Sequence, residues 1–443
     1  MPVLNKEPLF SENESTQAVL VGTCLKGESG SYRDAEISLD ELERLLETAG
    51  GTVYARMIQN VEARSSKTVI GSGKVKELSD LCKNGEVRLV VFDDELTPIQ
   101  IRNLEDEIDA DVTVIDRTML ILDIFALHAT SAEGKIQVEL AQLKYSIPRL
   151  TGQGKNLSRQ GGGIGTRGPG ETKLETDSRM ARQREQLLRE KLDRIARNRQ
   201  TMRKSRERNG LPRISIVGYT NAGKSSLLNT LTDAGILAED KLFATLDPTT
   251  RKYELPSGES VLLTDTVGFI RKLPHHLIEA FRTTLEEATE ADLLLLLLDI
   301  SDPEAEWKLE VSTQLLIELG ARSEDMILVY NKIDALPEGT VIPRLSGTET
   351  VSVSAKTGEG IPALLEAVTN WLRRRKRKVK LHIPAKDLGV LNQLYRAGHV
   401  EKVEYTEDGA DAEVVLDAAG QGKFRDYIPD LTETVEDGSE EQF

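Results

Sequence analysis

The run RISIVGYTNAGKSSLLNTL, Arg213 to Leu231, decides how this chain is read. RISIV alternates apolar and polar side chains as a strand does. A loop bounded by Gly218 and Gly223 follows, and then Lys224, Ser225 and an apolar run at helical spacing. This is G-x-x-x-x-G-K-[ST] between a strand and a helix, the setting in which it forms a phosphate-binding loop. The two glycines let the backbone of Gly218, Tyr219, Thr220, Asn221, Ala222 and Gly223 wrap a β-phosphate, so that N–H groups and the helix N-terminus face its charge. Lys224 reaches the β- and γ-phosphates, and the Ser225 hydroxyl is placed to ligate Mg²⁺.

Two near-matches lack that context. GSGKV (Gly71–Val75) has no leading glycine and no magnesium hydroxyl, and reads as a turn before a helix. GIGTRG (Gly163–Gly168) satisfies G-x-G-x-x-G, but no strand precedes it and Pro169-Gly170 follows. It is not expected to open a helix as a dinucleotide site requires.

Downstream, VLLTDTVG (Val261–Gly268) is an apolar strand ending in D-x-x-G. Asp265 would hold the metal through water, with Thr266, Val267 and the Gly268 N–H along the γ-phosphate. MILVY (Met326–Tyr330) runs into Asn331, Lys332, Ile333 and Asp334. A carboxylate at 334 can accept both guanine N1–H and the exocyclic amine, and Lys332 can lie along the base. SAK (Ser354, Ala355, Lys356) ends another strand, where backbone N–H groups meet guanine O6. Four elements in order, each at a strand's C-terminal edge, predict a GTP/GDP site.

The domain resembles the translation-factor-related GTPases, and LFATLDPTTR (Leu242–Arg251) narrows the likeness. Together with VIDRT, QVELAQLKY, GGGIGTRGPGETKLETD and DTVGFI it is similar to the HflX family of ribosome-associated GTPases. The resemblance runs from about Ala18 to the C-terminal domain. It implies that Phe243, Ala244, Thr245, Leu246 and Asp247 form a switch over the nucleotide, with Thr245 as the second hydroxyl on Mg²⁺; Thr249 and Thr250 are the alternatives. It also implies a partner, the large ribosomal subunit and its rRNA, and a role in ribosome splitting, rescue or recycling.

Two positions depart from the Ras-like pattern. Phe269 stands where many GTPases place a water-orienting Gln, so slow intrinsic hydrolysis, stimulated by ribosomes, is expected. No residue is assigned as catalytic. Asn221 matches an Asn that helps hold K⁺ in potassium-activated GTPases; it equally suits the loop's backbone geometry. Arg251 reads as a solvated switch-loop arginine rather than a charge-neutralising finger.

Around this core the 443 residues suggest about three domains at roughly 150 residues each. The expected class is α/β: a P-loop GTPase domain (211–372), an N-terminal α/β domain (1–132) with a long-helix subdomain (133–210), and a small C-terminal α+β domain (373–430). Residues 431–443 are an acidic tail expected to be disordered. In the N-terminal part, Ala18–Thr23, Thr52–Ile58 and Val87–Asp94 read as strands, with helices at Leu39–Thr48 and Lys74–Lys83. Ile136–Tyr145 reads as a helix closed by Pro148. Ser178–Arg208 reads as a long helix with a seam of Ala181, Leu188, Ile195 and Met202, beside Leu192. Arg373–Lys378 reads as a basic linker, and the last domain as a βαβ-like unit with strands near 380–383 and 412–416.

The chain's formal charge is -16. Yet Ser178–Arg208 holds twelve basic and four acidic residues, a surplus of eight. A backbone-driven, salt-dependent RNA contact is therefore expected there; few aromatics (4%) argue against base stacking. Two cysteines exclude a disulfide framework. The polar N-terminus shows no signal peptide, and the longest apolar run, Leu293–Leu298, is far short of the roughly 20 residues of a membrane span. A cytoplasmic monomer is expected, meeting membranes only by way of ribosomes. The competing readings are a GTPase acting on a protein partner through the basic helix, and a nucleotide binder with negligible turnover.

Overall fold

In the computed structural model of the chain, residues 16–26, 31–109, 111–150, 169–207, 211–232, 242–243, 248–272, 291–337, 339–343, 348–375, 377–416 and 418–428 are described. Among them three sheets follow one another along the sequence.

The first is parallel: β1 (Thr16–Leu25), β2 (Gly51–Val61), β3 (Leu89–Phe92) and β4 (Thr113–Asp116), in the order β2-β1-β3-β4. Helices α1 (Ser31–Thr48), α2 (Ser72–Asn84) and α3 (Pro98–Ile108) cross between the strands. Alternate residues of β1 feed two cores. Ala18 and Leu20 face α1, and Val19 and Val21 face α2 and α3. Gly71 caps α2 and Ser72–Val75 already form its first turn, so GSGKV starts the helix rather than preceding it as a separate turn. Thr97 and Gln100 form a reciprocal capping box at the start of α3, with Pro98 in its first turn.

Two helices carry the chain away. In α4 (Arg117–His128) both sides are apolar, so sequence periodicity does not reveal it; Asp116 caps it by accepting from the Met119 N–H at 3.0 Å. Helix α5 (Ala132–Leu150) runs through Pro148 instead of ending there, although the ring denies the last turn one N–H donor. Helix α6 (Pro169–Glu207) starts earlier than Ser178: Pro169 opens it, as proline at a first helical position readily does. The argument that Pro169-Gly170 bars a helix there is thus overturned. GIGTRG itself lies outside the described residues. The predicted seam forms against α5: Ala181 and Leu188 are buried with Leu140 and Leu143, and Leu192 packs beside them. Ile195 is half-buried, and the side chain of Met202 is outside the described residues.

The second sheet has the order β10-β9-β8-β5-β7-β6 and is parallel except for β6. Its strands are β5 (Arg213–Gly218), β6 (Thr249–Glu254), β7 (Ser260–Asp265), β8 (Leu293–Asp299), β9 (Met326–Asn331) and β10 (Glu349–Ser352). The leucine run is β8, buried on both faces: Leu293, Leu295 and Leu297 enter one core, and Leu294, Leu296 and Leu298 the other. Helices α7 (Lys224–Thr232), α8 (Ala305–Glu318) and α9 (Ile361–Arg375) pack around it. Arg373–Arg375 form the last turn of α9, and Arg377 and Lys378 already lie in the next strand, so these residues of the expected linker stand in regular elements.

The third sheet is antiparallel, in the order β11-β13-β12, from β11 (Arg377–Pro384), β12 (His399–Thr406) and β13 (Gly409–Leu416). With α10 (Val390–Ala397) it makes a β-α-β-β unit. A βαβ reading overlooks β12, whose VEKVEY is charged at its outer positions and only half-buried within. The acidic tail lies outside the described residues.

The first two domains share a core. Leu242, Phe243, Val267 and Ile270 belong to the same apolar cluster as Leu42 of α1, Ile121 of α4 and Tyr145 of α5. Phe243 meets Phe125 edge to face, ring centroids 4.7 Å apart.

Candidate nucleotide site

The C-terminal edge of the second sheet gathers the motif residues. Strand β5 ends at Gly218 (φ 147°), where any Cβ would lie 2.2 Å from the Leu297 carbonyl oxygen. Gly223 (φ 93°) leaves no room either: a Cβ would fall 2.3 Å from Asn331 Nδ2. Between them Asn221 sits in the left-handed region (φ 61°), which Asn tolerates better than most residues. Lys224 is buried and its Nζ donates to the Tyr219 carbonyl at 2.9 Å. Desolvation pulls its pKa down to about 8, against the opposing pull of Asp265. A cation so short of solvation is poised to take an anionic ligand. The Thr220 hydroxyl is buried without a hydrogen-bond partner among the described residues.

Ser225 Oγ donates to Asp265 Oδ2 at 2.6 Å. One carboxylate and one hydroxyl converging at a phosphate-binding loop suit Mg²⁺, which takes few protein oxygens and completes its shell with phosphate oxygens and water. Thr245, with Ala244, Leu246 and Asp247, lies outside the described residues. Of the alternatives, Thr249 is the cross-strand partner of Asp265, and Thr250 shares its hydroxyl with Thr264 at 2.9 Å. The Phe243 side chain is buried in the shared core, leaving only its backbone to face a ligand.

The D-x-x-G segment packs tightly on the loop. Thr220 N–H donates to the Phe269 carbonyl at 2.8 Å and Phe269 N–H to the Gly218 carbonyl at 3.0 Å. A Cβ on Gly268 would come within 2.8 Å of Lys224 Nζ. Thr266 spends its hydroxyl on the Ile216 carbonyl, and Val267 is buried with the shared core. Phe269 is buried among Val217, Tyr219 and Leu296, so no side-chain amide stands here. Arg251 is exposed on β6.

At the other end, Asn331 joins two loops. Its Nδ2 donates to the Ala222 carbonyl at 2.8 Å, and its Oδ1 accepts from the Ala355 N–H at 2.9 Å. Asp334 Oδ1 accepts from Ser354 Oγ at 2.6 Å, which aims one carboxylate oxygen and leaves the other edge for a ligand. Lys332 has a left-handed backbone (φ 64°) and pairs with Asp299 at 2.8 Å. Ile333 follows half-buried, while Lys356 is exposed beyond Ser354 and Ala355. Sequence reading missed Asp299, which closes β8 below Lys332, because it carries no motif. It also missed the contacts that reach Tyr219 and Lys272 from the first domain.

The site's neighbours outside the motif are charged. Tyr219 OH donates to Glu41 Oε1 at 2.8 Å, and Arg271 donates to Glu304 at 2.8 Å while stacking on Trp307. Arg117, 2% exposed, pairs with Glu41 and, at 2.7 Å, with Asp93; Lys272 pairs with Asp93 from the far side. Two cations and two anions thus neutralise one another between the domains.

Comparison with known proteins places this architecture. Four family models match consecutive stretches: GTP-binding GTPase N-terminal (36–126), GTP-binding GTPase Middle Region (128–206), 50S ribosome-binding GTPase (213–332) and HflX C-terminal domain (341–421). The chain is 51% identical over 381 residues to "GTPase HflX" of Lacrimispora saccharolytica, covering 86% of this chain and 90% of that one. It is 42% identical over 377 residues to "GTPase HflX" of Escherichia coli, covering 84% and 88%. Among solved structures, a complex of SsGBP and GDP is similar at 26% identity and TM-score 0.48, over 80% of this chain and 98% of that one.

Proposed function

The chain belongs to the HflX family of GTPases, and from that premise we propose a GTP-driven switch that associates with the large ribosomal subunit and serves in ribosome splitting, rescue or recycling. GTP and Mg²⁺ occupy the loop Gly218–Ser225, the Asp265–Gly268 segment and the guanine pocket of Asn331–Asp334 with Ser354–Lys356. Ser225 and Asp265 hold Mg²⁺, Asp265 through water, with Thr245 as the second hydroxyl. Asn221 faces K⁺ beside the phosphates. When bound, the metal neutralises charge on the β- and γ-phosphates; the protein's part is to hold Lys224 and the loop N–H groups against them.

The observation that carries the ribosomal reading is α6. Its apolar seam is spent on α5, while Arg179, Arg182, Arg189, Lys191, Arg194 and Arg197 are exposed. A basic face of this kind suits an RNA backbone, with affinity that falls as salt rises. Hydrolysis would release the switch segments that bind γ-phosphate and so change what the first domain and α6 present.

Sedimentation with purified large subunits tests the reading. With a non-hydrolysable GTP analogue the protein should pellet with the subunits, less so with GDP, and subunits should accelerate phosphate release. Pelleting independent of nucleotide, or none at all, would leave the protein-partner reading in its place. Equal turnover in KCl and NaCl, free and ribosome-bound, would remove K⁺.

A further inference from the structure

The loop Gly218–Ser225 is held from behind by a residue of another domain. Tyr219 lies at the centre of the arrangement. Its carbonyl accepts from Lys224 Nζ, and its neighbours in sequence exchange backbone hydrogen bonds with Phe269. A shift of Tyr219 would therefore displace the loop backbone and the lysine that meets the phosphates.

Its buried side chain is fixed on three sides. The ring meets Trp307 edge to face, centroids 6.3 Å apart, and Lys308 Nζ stands 4.9 Å over its face. The hydroxyl donates to Glu41, which α1 of the first domain supplies. Burial and the neighbouring Glu41 carboxylate raise the Tyr219 pKa, so the hydroxyl remains a donor. Glu41 is itself held by Arg117, whose second hand grips Asp93 and the Ser38 carbonyl.

We infer that Glu41 is a positioning residue for the nucleotide site: through the Tyr219 hydroxyl, the N-terminal domain fixes the phosphate-binding loop of the GTPase domain. This rests on the assignment of GTP to that loop. A loop already in its bound shape loses less conformational freedom when the nucleotide arrives, so affinity is higher. Because the loop wraps the β-phosphate, common to GDP and GTP, loss of the tether should weaken both nucleotides alike.

The test is fluorescent-nucleotide titration of the full chain. Tyr219→Phe keeps the ring on Trp307 and the Arg117–Glu41 pair, and removes only the hydroxyl. It should weaken GDP and a GTP analogue in parallel by roughly tenfold, the scale of one lost hydrogen bond to a charged acceptor. Glu41→Gln should weaken both by a smaller factor, and have no further effect in the Tyr219→Phe background. A merely structural role for Glu41 would lower the melting temperature without that dependence on the hydroxyl. Unchanged affinity in Tyr219→Phe, or equal effects of Glu41→Gln in both backgrounds, overturns the inference. Lys224→Ala separates the two levels: if it binds GTP like the unaltered protein, the site assignment fails; if it loses binding while Tyr219→Phe does not, only the role of Glu41 fails.

Discussion

Two sheets in this molecule, one parallel and one parallel but for its edge strand β6, present the same kind of edge and treat it in opposite ways. In each, helices cross on both faces and the strand order reverses beside the first strand, the place where open α/β sheets take ligands. In the N-terminal sheet that edge is closed by side chains. Thr23 Oγ1 donates to Asp94 at 2.6 Å, Arg64 donates to both, and Asp93 is taken by Ser38, Arg117 and Lys272. In the GTPase sheet the edge is backbone, kept clear by Gly218 and Gly223 and backed by one desolvated lysine. A shared topology places an edge; the side chains at it decide whether the edge binds its own domain or something from solution.

The contrast breaks most directly at Gly223. Alanine there combines a left-handed backbone with a Cβ 2.3 Å from Asn331 Nδ2, so the loop or the Asn331 bridge must yield. GTP affinity should fall by about 100-fold or more, since strain of this kind costs a few kcal/mol. Thr23→Ala, at the matching edge of the other sheet, should leave affinity within about twofold of normal by the same titration.

Next in size is the base pocket. Asp334→Asn exchanges a double acceptor for a group that presents a donor to guanine. GTP binding should weaken by on the order of 100-fold, and xanthosine triphosphate should compete better than GTP. Unchanged GTP affinity would remove the guanine assignment.

Acid–base titration sharpens the comparison less drastically. Without nucleotide, Lys224 is charged below about pH 8 and neutral above it. Phosphate beside it favours the charged form, so binding takes up a proton once the pH exceeds that value. GDP affinity should be flat from about pH 6.5 to 7.5 and fall above about pH 8, by up to about tenfold per pH unit. Calorimetry at about pH 8.5 in buffers of different ionisation heat should register the proton uptake. Stability of the nucleotide-free protein runs the other way. Its fold binds fewer protons than the unfolded chain between about 8 and the ordinary lysine range, so Lys224's contribution improves as pH rises through that window. A GDP affinity constant to about pH 9.5 would mean the ammonium is not desolvated.

How much of this is legible in the sequence depends on where the determining contact lies. Gly218, Lys224, Ser225, Asp265 and Asp334 are fixed by short-range spacing at strand ends, and spacing is what a sequence displays. The six leucines of β8 declare a strand buried on both faces. Helix α4 does not declare itself, because apolar residues on every side erase the period, and β12 is hidden by its charged outer face. Pro169 misleads because proline ends one helix and begins another with equal ease. Glu41, Asp93 and Lys272 are invisible for a different reason. Glu41 and Tyr219 are 178 positions apart, and no local pattern announces that a surface-type glutamate of one helix will meet a loop tyrosine of another domain.

The smallest effect falls on the closed edge itself. Arg64 bridges Thr23 Oγ1 at 3.2 Å and Asp94 Oδ1 at 2.7 Å, but its side chain is 48% exposed. Water screens such a pair, so Arg64→Ala should cost less than about 1 kcal/mol in denaturant unfolding. Asp94 keeps the Thr23 hydroxyl, so its buried carboxylate is not left bare. GTP affinity should not change, because the polar contacts described between that edge and the GTPase domain run through Glu41 and Asp93, and Arg64 bonds to neither. A change in GTP affinity of about fivefold or more in Arg64→Ala would mean that the two edges are coupled through Asp94 as well as through its neighbour. The N-terminal sheet would then act on the nucleotide as one unit, and the division between a closed edge and an open one would be too simple.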